Sequence, residues 1–374
     1  MSKALVENQT FLTEQIITYL GNKRSLLSFI GVALDYVKRD LGKEKIDVVD
    51  IFSGSGIVSR YMKQHANTLY SNDLEEYCNV INKCYLTNKS DVDFNRLGDY
   101  YKQIKERLDN EPLKKGFLAE MYAPRNDQNI QVGERVFYTT RNAMYLDTAR
   151  QLLEQLPDPY KTYFIAPLLY EASVHNNTSG VFKGFYKNSV TGIGQYGGDG
   201  RNALSRILAD INIKQPIFSN FNTRTFIFKK DANVLASELP EVDLVYMDPP
   251  YNQHPYGSNY FMLNIINSYQ RPLSVSAVSG IPKDWNKSQY NKKQTAKESV
   301  FDLCEKLKAK YLLISFSSEG FIGREEMVEM LSKFGDVKVF DKDYNTFRGS
   351  RNLNNRDIHL KEFLYLVKKT SKNK

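Results

Sequence analysis

Asp248-Pro249-Pro250-Tyr251 follows directly on the apolar run Val242 to Met247, and these are the residues of the chain whose types best suit chemistry. Two prolines after a strand fix φ, remove backbone donors and leave the Pro249 carbonyl open as an acceptor. Asp248 supplies a second acceptor, and Tyr251 a flat aromatic face. Two acceptors can hold both N–H bonds of one planar exocyclic amine, with its lone pair turned towards an electrophile. The pattern points to the amino group of a nucleobase. A plain structural turn is the competing explanation, and the motifs upstream weigh against it.

The second candidate site is Asp50-Ile51-Phe52-Ser53-Gly54-Ser55-Gly56. Gly54 and Gly56 after a buried strand allow a tight turn and close approach of backbone to a nucleotide-like ligand. A dinucleotide fold would want a further glycine where the chain has Ser59, so the pyrophosphate fingerprint is incomplete. About twenty residues on, Thr68 to Ser71 reads as a strand ending at Asn72-Asp73. An acidic residue there can accept hydrogen bonds from both hydroxyls of a ribose. Asp73 can equally cap the helix that follows, and the two jobs are compatible.

Short strands have to position these residues. Ile46 to Phe52, Thr225 to Phe228, Val242 to Met247 and Tyr311 to Phe316 read as strands alternating with helical patterns, which implies an α/β sheet buried on both faces. Val337 to Phe340 and Glu362 to Val367 read as late strands, and an antiparallel course is open to them. Between about 91 and 222 the strand signals fade and helical patterns dominate, at Tyr138 to Leu156 and Pro159 to Val174. Seven glycines interleaved with aromatic and basic residues then run from Gly180 to Gly200, a composition unsuited to core structure. The expected organisation is a mainly helical domain, 96–224, inserted between the two parts of the sheet, 1–95 and 225–374.

At 374 residues with 41% hydrophobic content, the chain can bury a sizeable core. The formal charge of +8 favours an anionic partner such as nucleic acid. Cys78, Cys84 and Cys304 form no CxxC pair, and with only four histidines they suggest neither a disulfide framework nor a metal site. No apolar run approaches the ~18 residues that span a bilayer, and the N-terminus lacks the apolar core of a secretion signal. A cytoplasmic protein without membrane attachment is expected, as a monomer.

Asp50 to Gly56, Asn72-Asp73 and Asp248 to Tyr251 resemble the motifs of the S-adenosylmethionine-dependent DNA adenine-N6 methyltransferases, in the alpha group that includes the Dam-like enzymes. Their order fits that group: glycine motif, recognition domain, catalytic tetrapeptide. Tyr19 to Leu27 is similar to its N-terminal motif. The resemblance implies a Rossmann-like methyltransferase sheet with an inserted target-recognition domain, S-adenosylmethionine as cofactor and double-stranded DNA as partner. It implies cofactor contacts from Tyr19, Lys23 (facing the cofactor's carboxylate), Asp50, Phe52, Gly54, Gly56, Asp73, Asp231 and Asp248, with Asp231 at the adenine; by itself, Asp231 reads equally well as a helix cap. Asp248, Pro249, Pro250 and Tyr251 are the implied catalytic residues. Asn252 to Phe261 is similar to a restriction-modification branch, which implies a cognate restriction endonuclease acting on the same site.

DNA contacts are expected from the middle domain, with Asn177, Lys183, Tyr186 and Lys187 in a glycine-rich basic loop, and from Arg348 and Arg351 in a similar loop near the C-terminus. Incidental charge on surface loops is the plainer explanation for both. None of the three cysteines follows a proline, which separates the site from cytosine-C5 enzymes and their thiol nucleophile. Three alternatives stay open: transfer to cytosine N4, transfer to RNA adenine, or a catalytically silent DNA-binding homologue.

Overall fold

The structure, a computed structural model, describes residues 5–345 and 359–370. Five strands, β1 (Ile46–Asp50), β2 (Ala66–Asn72), β3 (Arg224–Phe228), β4 (Val242–Met247) and β5 (Ala309–Ser317), run parallel. Two further strands, β6 (Gly335–Asn345) and β7 (His359–Lys369), complete a seven-stranded sheet in the order β3-β2-β1-β4-β5-β7-β6, with β7 antiparallel to both its neighbours. The reversal of strand order between β1 and β4 opens a crevice at their carboxyl ends, where open α/β sheets bind ligands.

β4 is buried along its whole length, so alternate side chains feed both faces. Leu244 and Tyr246 enter one core with α1 (Leu27–Leu41) and α2 (Ile57–Met62). Val245 and Met247 enter the other, with α12 (Lys293–Lys306) and α13 (Arg324–Leu331). The two edge strands, β3 and β6, are half-buried to exposed, unlike the central β4.

No strand interrupts the chain between β2 and β3. It forms α3 (Glu76–Tyr85), α4 (Phe94–Asn110), α5 (Phe117–Tyr122), α6 (Thr140–Leu153), α7 (Tyr160–Val174) and the short α8 (Leu204–Leu208). Thr139 sets the start of α6 by accepting from the Asn142 amide, two residues inside the boundary that periodicity suggests. Helices α9 (Ala232–Leu235), α10 (Tyr256–Asn259) and α11 (Phe261–Ser268) flank the tetrapeptide. Ile81 of α3, Leu146 of α6, Leu168 of α7 and Phe261 of α11 share one hydrophobic core, so the helical mass is rooted in elements next to the glycine motif and the tetrapeptide. Among the described residues no helix is long and apolar enough to cross a membrane.

Candidate active site

The glycine motif makes its turn where β1 ends. Gly54 and Gly56 both hold positive φ, +49° and +78°, which a side chain would strain. A Cβ on Gly54 would come within 2.9 Å of the Tyr19 ring, and one on Gly56 within 2.4 Å of Asn82 Oδ1. The Gly54 amide donates to Asp73 Oδ2 at 2.8 Å, and the Glu75 amide to Asp73 Oδ1 at 2.9 Å. Asp73 thus ties the turn to the start of α3 while lining the cleft. Asn72 binds the ends of three strands together, donating to the Ile51 and Lys230 carbonyls and accepting from the Lys230 amide.

Asp50 corrects the expectation of a cofactor contact. It lies fully buried beneath the turn and away from the cleft lining, with Ser59 Oγ donating to Oδ2 at 2.6 Å. Ser59, the residue that broke the dinucleotide fingerprint, is the clamp between β1 and α2. Burial pushes the Asp50 carboxyl up to about 7, against the pull of Ser59, and Oδ1 has no hydrogen-bond partner.

The cleft runs from this corner to the tetrapeptide. Phe52 and Tyr290 meet edge-on at 5.1 Å and form an apolar wall beside Asp231. Asp231 does what an isolated reading allowed, accepting from the Asn233 and Val234 amides as the cap of α9, while also lining the cleft. At the other end lie Asp248 and Pro250, with Pro249 buried behind them. Tyr251 is half-buried, its ring edge-on to Phe316 at 5.8 Å, and its carbonyl accepts from the Phe321 amide.

Strand alternation explains the charges here. Asp248 continues the face of Leu244 and Tyr246, and Glu362 of β7 continues that of Leu364 and Leu366, both towards α1. Lys23, on the approach to α1, lies between them, with Nζ 3.1 Å from Asp248 Oδ1 and 3.1 Å from Glu362 Oε1. Two carboxylates hold the Lys23 ammonium well above the ordinary lysine range in spite of its burial. Burial pushes Asp248 up to about 6, with Lys23 pulling against it and Glu362 adding to it. Lys23 lines the cleft as expected, but its ammonium faces these two carboxylates.

Tyr19 sits in an aromatic stack, 4.9 Å from Tyr256 and 4.7 Å from Tyr260. Sequence reasoning did not single out Glu362, Glu75, Asn82, Tyr256 or Tyr290. Glu362 had a signal, as a carboxylate opening the apolar run Phe363 to Val367. Glu75, pushed up to about 7 by burial, accepts from Asn264 and Asn286 across gaps of 189 and 211 residues, which no local pattern reveals.

The family model for D12 class N6 adenine-specific DNA methyltransferases matches residues 19–330. The chain belongs to this family. The type II methyltransferase M.CviAII of Paramecium bursaria Chlorella virus 1 is 28% identical over 94% of this chain and 98% of its own length. M.NlaIII of Neisseria lactamica is 24% identical over 95% of this chain and 100% of its own. The modification methylase StsI of Streptococcus sanguinis is 29% identical over 95% of this chain and 52% of its own. Membership decides for adenine N6 in DNA over cytosine N4 and RNA, and for an enzyme over a silent binding module.

The proposed DNA contacts of this methyltransferase divide. Asn177 is buried, its amide donating to the Val136 and Gln195 carbonyls and accepting from the Gly197 amide. It is therefore an internal brace of the glycine-rich loop, which corrects its assignment to DNA. Lys183 is exposed; Tyr186 and Lys187 are half-buried, and Lys187 lies 5.0 Å over the Phe185 ring. The Phe182 amide donates to the Asn259 carbonyl at 2.7 Å, pinning the loop to α10 just beyond the tetrapeptide. Arg348 and Arg351 lie outside the described residues.

Proposed function

We propose that this methyltransferase moves a methyl group from S-adenosylmethionine to N6 of an adenine extruded from duplex DNA, as the modification enzyme of a type II restriction-modification system. One cleft that joins the Gly54–Asp73 corner to Asp248 and Pro250 carries the reading. Its residues fit the cofactor: an apolar wall at Phe52 and Tyr290, a carboxylate at Asp73 that would receive the ribose hydroxyls, and a glycine turn that would let the backbone approach it. When bound, the cofactor supplies a sulfonium-activated methyl group. Residues 1–95 and 225–374 form the catalytic part in this reading, and 96–224 read the target. The likeness to two type II methyltransferases and a modification methylase supports the modification role.

A stacked, paired amine is out of reach, so the base has to leave the duplex. Tyr251 stacks on it, and Asp248 and the Pro249 carbonyl accept its two N–H bonds, which turns the N6 lone pair towards the methyl carbon. Asp248 would accept the N6 proton that is released as the N–C bond forms and the sulfonium takes the S–C electron pair. Ionised Asp248 is thus both holder and acceptor. Incubating the protein with labelled S-adenosylmethionine and duplex DNA, single strands or RNA, then mapping the modified base, tests the reading. N6-methyladenine at a fixed duplex sequence is expected; label on cytosine, or on RNA alone, would refute it.

A further inference from the structure

Lys23 is one ammonium between two carboxylates. Asp248 alone would balance it, yet Glu362 stands equally close, and Lys23 and Glu362 are each only 4% exposed. Taking a second carboxylate out of water is costly, so its presence calls for a reason. Glu362 is also firmly held. Ser315 Oγ donates to the same Oε1 at 2.5 Å, and the β5–β7 ladder pairs Ser317 with Glu362, so the sheet rather than a loop fixes this charge.

We propose that Glu362 is a positioning residue for methyl transfer, drawing the Lys23 ammonium to a fixed point and competing with Asp248 for it, so that Asp248 stays basic enough to accept the N6 proton. The proposal rests on the role given to Asp248 above. A carboxylate neutralised by a lysine of its own is a weak acceptor, and one that shares the cation is a stronger one. Glu362 contributes to the rise of Asp248 to about 6, alongside burial. The other titratable groups facing the cluster are Asp50, Tyr246, Tyr251 and Tyr256. Burial holds Tyr246 and Tyr256 neutral, and Asp50, at about 7, already carries its proton over much of the range in which Asp248 titrates.

The test is the titration of Asp248 in the cofactor-free protein, followed by carbon-13 NMR of labelled aspartate and assigned with Asp248→Asn, beside the pH profile of kcat/KM on duplex DNA. Glu362→Gln should lower the apparent pKa of Asp248 by about one unit, so that near pH 5 the variant keeps roughly fivefold more of its plateau rate. Its plateau kcat should fall, while KM for the cofactor changes by less than about twofold. Ser315→Ala leaves every charge in place and should move the titration the same way by less, which keeps the test open if Glu362→Gln fails to fold. An unmoved Asp248 titration in the folded variants overturns the proposal, as does lost cofactor affinity without a shift. The NMR titration needs neither cofactor nor DNA, so it decides on Glu362 even if the wild-type protein leaves adenine unmethylated, the outcome that sinks the transfer reading.

Discussion

Asp248 gathers the consequences of this site into one carboxylate. In the proposed transfer it must be ionised to accept from the amine, and its pKa is raised to about 6, so the rate should fall as pH drops through that value and level off above it. A kcat/KM profile flat down to the ordinary aspartate range would contradict this. Asp248→Ala should cost at least roughly 10²–10³-fold in kcat, with S-adenosylmethionine binding by calorimetry largely kept. Gly56→Ala acts on folding instead: at φ +78° with Asn82 Oδ1 at 2.4 Å from the new Cβ, it should destabilise by roughly 1–3 kcal/mol. Thermal unfolding reads that loss, and unchanged stability would mean that the turn yields more easily than its packing implies. The place of the tetrapeptide at the cleft was legible because its residues are consecutive in the chain. Glu362 was not, because its meaning depends on Lys23, 339 positions away in the chain.

At the scale of elements, Arg60 is one of the side chains that hold the segment leading into α1. Arg60 of α2 is buried, stacks 3.6 Å from the Tyr85 ring centroid, and donates to the carbonyls of Phe11, Glu14 and Gln15. Arg60→Met leaves those carbonyls without their donor and should cost roughly 2–3 kcal/mol. Tyr19 and Lys23 continue from the anchored segment, so cofactor affinity should weaken as well, a pairing that denaturant titration and calorimetry can check. The glycine-rich loop is the second such element. Its seven glycines did mark an irregular segment, as composition suggested, but which residues face outward was set by the bracing of Asn177 and by the link from Phe182 to Asn259. Lys183 remains exposed, and Lys183→Ala should weaken DNA binding about equally across sequences and reduce the salt slope by about one. A change confined to one sequence would instead make Lys183 a base reader.

For the whole molecule, the helical mass and the sheet share elements. Because α3 follows the Asp73 corner, α11 follows the tetrapeptide, and both pack with α6 and α7, the helical mass is mechanically tied to the end of the sheet that carries the cleft, which in the proposed function would couple target reading to transfer. All three cysteines are buried, and burial pushes their thiols up, so the native protein should react slowly with thiol reagents and keep its activity. Rapid modification accompanied by inactivation would show that the core around Cys78 opens readily.

The amino-acid sequence by itself determined the α/β class, the order of the motifs, the helical middle and the tetrapeptide at the end of β4. Each of these rests on periodicity or on neighbouring residues, and local information suffices for both. Tertiary structure alone decided that Asp50 lies beneath the cleft with Ser59, that Asn177 is internal, and that Lys23 is shared between Asp248 and Glu362. Burial, and pairing such as that of Lys23 with carboxylates 225 and 339 positions further on, are properties of packing, and packing assigns one residue type to bracing, capping or catalysis according to what the fold brings against it.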